Sequence, residues 1–148
     1  MNAPVSVILD HKGSTVHQTR PDATVREAVN QMNDRHIGAL LVTRDGKPVG
    51  MFTERDILVR VVSPGRNPET TRVEEVMSAK LVTIAPETTI EDAMLVVTNR
   101  RCRHLPVVDA EGKLLGMVSI GDLTRWLVRD RESYIENLNT YIWGTPSI

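Results

Sequence analysis

Cys102 is the only cysteine of this chain, so an internal disulfide is excluded and a reducing compartment is the simplest setting. Aromatic residues make up 3% and the formal net charge is −1. Both weigh against a nucleic-acid binder, which needs a basic surface and commonly stacking rings. No apolar run approaches the ~20 residues of a membrane span; the longest obvious one, IGALLV at 37–42, is strand-sized. The amino terminus, MNAPVSVILDHKG, lacks the basic start and longer apolar stretch of a secretion signal, and the expected location is cytoplasmic. The histidines at 11, 17, 36 and 104 show no H-E-x-x-H or related metal spacing. Cys102 and His104 stand two apart without further ligands, so Cys102 reads as a small buried residue. No Ser, His and acid set has motif support for nucleophilic catalysis. Neither a metal nor an enzymatic activity is expected.

What the chain has instead is a repeat. GMFTERDIL at 50–58 and GMVSIGDLT at 116–124 share Gly, Met, an apolar residue, a hydroxyl residue and, three positions later, Asp. Upstream, Pro21, Thr24, Ala28, Arg35, Leu40 and Val42 match Pro86, Thr89, Ala93, Arg100, Leu105 and Val107 at a spacing of 65. One extra residue in the second turn, DAEGK against RDGK, moves the spacing to 66 for the closing motif, and turns are where copies tolerate such drift.

Each copy reads β-α-β-β-α. In the first, an extended stretch near Val16–Thr19 leads to a helix with Val25, Ala28, Val29 and Met32 on one face, the 0, 3, 4, 7 spacing of an amphipathic helix. GALLV then reads as a buried strand, RDGK as a hairpin turn, Pro48–Phe52 as a second strand and Thr53 to Val62 as a second helix. The second copy repeats this with Leu81–Ile84, a helix bearing Ile90, Ala93, Met94 and Val97, the strand LPVV, the strand Leu114–Val118 and a helix from Ser119. The expected organisation is repeat one with its lead-in VSVIL over 1–64, a Pro- and Gly-bearing linker over 65–71, and repeat two with its lead-in VEEVM over 72–130. A final helix and tail over 131–148 would carry Tyr134, Leu138, Tyr141 and Ile142. A unit of about 55 residues is hard to stabilise alone, so the copies are expected to pack face to face through their sheets as an α/β (α+β) fold. Leu58, Val61, Leu123 and Leu127 are candidates for covering by the sheet or by a second chain.

A hydroxyl followed three residues later by a carboxylate at a helix start is close to a capping box. The same geometry can serve a ligand: a helix amino terminus favours anions, the hydroxyl donates to phosphate, and Asp accepts from paired hydroxyls such as those of a ribose. The three arginines of NRRCRH at 99–104 read equally as a solvated helix end or as phosphate neutralisation; Arg55 and Arg125 are further candidates for phosphate.

The order β-α-β-β-α, with PDATVREAV and PETTIEDAM, IGALLV and RHLPVVD, and GMFTERD and GMVSIGD, resembles a tandem pair of CBS domains, the Bateman module, over about residues 1–130. The resemblance implies two repeats packed about a pseudo-twofold axis with adenosine ligands in the clefts between them. It carries the ribose acceptor onto Asp56 and Asp122 and the phosphate-facing hydroxyl onto Thr53 and Ser119. Adenine contacts fall on Ile37, Gly38, Ala39 and Leu40, and on Arg103, His104, Leu105 and Pro106. Thr83 belongs to the second site, where copy one departs with Gln18. The implied ligands are AMP, ADP, ATP or NAD, with S-adenosylmethionine less favoured, and the implied protein is a homodimeric nucleotide sensor whose output is read by another protein. A ligand-free dimerisation module and a small nucleic-acid-binding regulator are the alternatives. Because the copies differ around the shared Asp, the two sites are expected to differ in ligand preference.

Overall fold

The computed structural model describes residues 3–143, with side chains described except at 133–134 and 137–143. Short apolar lead-ins open each half: α1, Ser6–Lys12, and α4, Val73–Val76. The first repeat runs β1 (Gln18–Thr19), α2 (Val25–Arg35), β2 (Ala39–Arg44), β3 (Lys47–Thr53) and α3 (Glu54–Asp56), the last continuing as a π-helix over Ile57–Val62. The second runs α5 (Ile90–Arg100), β4 (His104–Val108), β5 (Leu114–Ser119) and α6 (Ile120–Trp143). The two repeats pack sheet to sheet with pseudo-twofold symmetry.

Local chemistry recurs in both halves. Thr24 and Thr89 cap α2 and α5, each hydroxyl accepting from the amide three residues on, Glu27 and Asp92, at 3.1 Å. Each helix ends on a left-handed residue, His36 (φ 54°) and Arg101 (φ 52°). In the first hairpin Asp45 and Gly46 both take positive φ, the requirement of a tight two-residue turn. The second, longer turn is held by Asp109, whose Oδ1 accepts from the amides of Glu111 and Lys113 at 2.9 Å. Both sheets carry an irregularity at the same place, Val42/Thr43 and Val107/Val108.

Three details differ from the sequence reading. The opening strand of repeat one is two residues long, and in repeat two Leu81–Ile84 forms only a single parallel bridge, Ile84 to Val107. Thr53–Val62 is a short α-turn followed by a π-helix; four of the six residues Ile57–Val62 are β-branched, and their crowding disfavours a regular α-helix. Finally, α6 is one continuous helix where two had been expected. The side chains of Tyr134, Leu138, Tyr141 and Ile142 lie outside the described ones.

The lead-ins determine how the cores close. Val5, which caps α1, and Ile8 within it are buried with Ile84, Ile90, Leu105, Val118 and Leu123 of the second repeat. Val73 and Val76 of α4 are buried with Val25, Leu40, Phe52 and Val61 of the first. Backbone pairs fix each lead-in: the Val5 amide donates to the Thr88 carbonyl and the Ile90 amide to that of Ala3, both at 2.8 Å. In the other half, Val25 donates to Thr71 at 2.9 Å and Val73 to Ala23 at 2.8 Å. So the segment that precedes repeat one completes repeat two, and the segment that follows repeat one completes repeat one. Each fully buried aliphatic side chain contributed in this way is worth about 1.5–3 kcal/mol. Of the four apolar positions singled out for covering, Val61 and Leu123 are buried, Leu127 packs on the second core and Leu58 is exposed.

Gly50 and Gly116 leave room for these lead-ins. A Cβ on Gly50 would run into the Met77 side chain and come within 2.9 Å of the Ser78 carbonyl oxygen; one on Gly116 would meet only the tip of Leu9, at 2.8 Å. Backbone cannot retreat as a flexible side chain can. Gly50→Ala is therefore expected to destabilise by about 1–3 kcal/mol, and Gly116→Ala by less; denaturant unfolding of the two variants measures the difference.

Candidate functional site

At each junction of strand and helix the hydroxyl and carboxylate engage one another. In repeat one Thr53 is the helix cap: Asp56 N donates to Thr53 Oγ1 (3.3 Å), while Asp56 Oδ2 accepts from Thr53 N (2.9 Å) and Thr53 Oγ1 (3.1 Å). In repeat two Asp122 N donates to Ser119 Oγ (3.1 Å) and Asp122 Oδ2 accepts from Ser119 N (2.8 Å). The first helical amide is also used twice in the same way, Glu54 N to Gly38 O at 3.0 Å and Ile120 N to Arg103 O at 2.9 Å. Antiparallel pairing sets Ala39 opposite Thr53 and His104 opposite Ser119. The motif residues and the strand starts Gly38–Ala39 and Arg103–His104 are thus brought together in each repeat.

Other candidate residues sit differently. Leu40 and Leu105 are fully buried within their repeat cores, Ile37 packs on the first core from its edge, and Pro106 is buried with its carbonyl accepting from Ile84. Leu40, Leu105 and Pro106 can present only backbone to a ligand. Thr83, Arg55 and Arg103 are exposed. Gln18, at the position of Thr83 in the first repeat, accepts from the Thr43 hydroxyl at 2.9 Å. Gly38 is not open space, because Glu54 Oε1 would lie 3.1 Å from a Cβ placed there.

The second carboxylate oxygen separates the two sites. Asp56 Oδ1 lies 3.7 Å from Arg60 Nε, beyond hydrogen-bond range, because the Arg60 guanidinium is drawn to the Val76 and Met77 carbonyls at 3.2 and 2.7 Å. Asp122 Oδ1 instead accepts from Arg125 Nη2 at 2.8 Å, and its Oδ2 takes a further bond from Lys12 Nζ at 2.7 Å. Lys12 also donates to the Met117 carbonyl at 3.1 Å. In repeat one the corresponding carbonyl, that of Met51, accepts from a backbone amide, Ser78 N at 2.9 Å. A lysine side chain from α1 thus does in one copy what a backbone bridge does in the other.

Burial pushes the Asp122 carboxyl pKa up, but the hydrogen bonds from Lys12 and the Ser119 amide outweigh it and hold the group below its usual value. Burial, helped by the charges of Arg103 and Lys12 and opposed by Asp122, pulls the His104 pKa down. The Cys102 thiol, half-buried against the second core, is pushed up, chiefly by burial. No group of three or more His, Cys, Asp or Glu with metal-binding geometry occurs among the described residues.

A family model for the CBS domain matches residues 14–63 and 73–129. The chain belongs to the CBS-domain family. The CBS-domain protein CBSX3 of Arabidopsis thaliana, named as mitochondrial, is 40% identical over 83% of this chain, a match spanning 62% of that protein's length. The CBS-domain protein YhcV of Bacillus subtilis is 37% identical over 80% of this chain and 84% of its own length. A solved structure from Burkholderia ambifaria, described as a putative signal-transduction protein with CBS domains, is 39% identical, with a TM-score of 0.79 over 86% of this chain and 96% of that one. No helix among the described residues is long and apolar enough to cross a membrane.

The sequence reading missed Lys12, Arg60, Trp126 and Arg129. Arg60 was within reach of it, four residues after Asp56 on one helix face. Lys12 was not, since 110 residues separate it from Asp122.

A single variant tests the electrostatics. With its pKa depressed on folding, Asp122 contributes stability that is present above about pH 3.8 and lost as pH falls through the folded-state value, because the unfolded state then binds more protons. Neutral His104 behaves alike from its higher starting value of 6.5 downward. Lys12→Met removes a cause of both depressions, so the variant is expected to lose less stability on acidification than the parent. Urea unfolding between pH 7 and pH 3, with the His104 ring titrated by NMR, checks the sign.

Proposed function

We propose that the chain is a non-catalytic sensor of adenosine-containing ligands, with AMP, ADP, ATP or NAD held at the two strand–helix junctions. The observation that carries this reading is the division of labour within Asp56. Capping consumes Oδ2 and the Thr53 hydroxyl, while Oδ1 makes no hydrogen bond to any of the described residues, in a carboxyl that is otherwise buried. An oxygen so placed can accept from a ribose hydroxyl through a charge-assisted bond of roughly 1.5–3 kcal/mol, and the exposed start of the neighbouring strand offers backbone to a base. CBSX2, whose crystal structure is of its complex with AMP, has the same fold at 24% identity and a TM-score of 0.71. Ligand binding shifts the population between arrangements of the repeats, and a partner protein or a second copy of the chain reads the shift. With its single cysteine, the protein suits the reducing cytoplasm.

A thermal-shift series with AMP, ADP, ATP and NAD, with GTP as the control, tests the reading. A ligand at about 100 times its dissociation constant adds roughly 2.7 kcal/mol, several degrees for a chain of this size. At least one adenine ligand is expected to exceed GTP, and Asp56→Ala is expected to weaken binding at its site about tenfold while costing about 1 kcal/mol of stability through the lost cap. No shift with any adenine ligand, or an equal one with GTP, returns the motif to capping alone.

We also propose a homodimer. Leu58, Val59 and Val62 are 64%, 55% and 63% exposed on one short segment, an apolar cluster suited to burial against another copy. Light scattering is expected to give about twice the 16.5 kDa chain mass, falling toward the monomer in Leu58→Asp.

A further inference from the structure

We propose that the small cavity between α1 and α6 is a phosphate site that receives the terminal phosphoryl groups of a nucleoside di- or triphosphate bound at the second repeat. This rests on the adenine-nucleotide reading above and assigns the longer ligand to one site.

The cavity, about 110 Å³, is lined by His11 and Lys12 from α1 and by Asp122, Arg125, Trp126 and Arg129 from α6, with Ile8 at its base. Nucleoside-sized ligands need pockets of about 300 Å³ or more, so this volume suits phosphoryl groups and is too small for a whole nucleotide. Three cations, Lys12, Arg125 and Arg129, face one carboxylate. Lys12 and Arg125 share Asp122 at 2.7 and 2.8 Å, whereas Arg129 Nη1 lies 3.3 Å from Nε2 of the His11 ring. Among the described residues the Arg129 charge has no carboxylate partner. Two guanidiniums and an ammonium around a small concavity match the oxygens of a phosphate chain, which guanidinium grips in a bidentate fashion. A ribose taking Asp122 would release Lys12 and Arg125 from the carboxylate beside the very phosphates they can meet.

The first repeat is built differently. At the spacing of 66, Val59, Arg60 and Ser63 stand where α6 has Arg125, Trp126 and Arg129, and Lys80, placed after Val73 as Lys12 is after Val5, lies outside the short α4, past the bridge of Ser78 to Met51. Glu54 lies over Gly38 there, adding negative charge beside the site. Another cavity, about 350 Å³, is lined by Arg20 and Arg44 together with Asp22 and Asp45, so its charges balance.

Calorimetric titration of the full chain with sodium tripolyphosphate, ATP, AMP and adenosine tests the assignment, in the parent and in Arg129→Gln, Arg125→Gln, the double variant and Arg20→Gln as a surface control. All three positions are exposed, so folding is expected to survive, and circular dichroism verifies it. The expected result is that the double variant loses about tenfold or more in affinity for both tripolyphosphate and ATP, the worth of one charge-assisted bond. Adenosine and Arg20→Gln should each change less than about twofold. Tripolyphosphate that fails to bind the parent, or ATP bound equally by parent and double variant, overturns the proposal. If tripolyphosphate binds as expected while AMP and adenosine bind nowhere, the anion site stands and the adenine reading falls.

Discussion

The constraint on which the rest of the molecule depends is that neither repeat can close its own core. Two or three short strands and two helices leave an apolar face unfilled, and each half borrows a lead-in to cover it: Val5 and Ile8 for the second repeat, Val73 and Val76 for the first. Gly50 and Gly116 follow from this, since the lead-ins cross where a side chain would stand. The asymmetry of the sites follows as well. Because α1 arrives from the far end of the chain and runs to Lys12, it delivers a cation to Asp122; α4, ending at Val76, delivers carbonyls that draw Arg60 away from Asp56.

Within each junction one side chain serves fold and chemistry without conflict, because a carboxylate has two oxygens. Oδ2 of each Asp satisfies the amide of its own cap residue, a role that any capping box fills. Oδ1 answers to nothing in the local backbone. In repeat one it faces Arg60 at 3.7 Å without a hydrogen bond, and in repeat two an arginine one turn along takes it. A motif can therefore be both an ordinary cap and a ligand acceptor, and the fold constrains only the first role.

Much of this was legible in the sequence because periodicity and turn chemistry act locally. The buried faces Val25, Ala28, Met32 and Ile90, Ala93, Val97, the Asp-Gly turn and the hydroxyl–carboxylate pairs all express interactions within four residues of one another. The repeat itself, matched across most of the chain, carried the family. What was not legible depended on contacts of long range or on fine energetic balance. Nothing local says that VSVIL belongs with residues 84–123 rather than with the repeat it precedes, nor that Lys12 meets Asp122. The π-helix at Ile57–Val62 turns on crowding among β-branched side chains against a buried Val61, a difference of hydrogen-bond register that an apolar pattern does not record. Nor does any local pattern say that Glu54, sixteen positions on, lies over Gly38.

Duplicated units that pack against each other are held alike where they share a core and are free to diverge where they face solvent. Here the capping atoms, the left-handed helix ends at His36 and Arg101 and the strand irregularities have been kept in register, because an error in any of them would disturb a buried neighbour. The positions that differ, Glu54 against Ile120, Val59 against Arg125 and Ser63 against Arg129, all lie along the helix that leaves the site, where a change of charge costs the fold little. Electrostatic divergence at that rim is thus the cheapest route by which one duplicated pocket comes to distinguish a ligand from the other's. It needs no new backbone geometry, only that exposed positions already facing the cleft exchange apolar or acidic groups for basic ones.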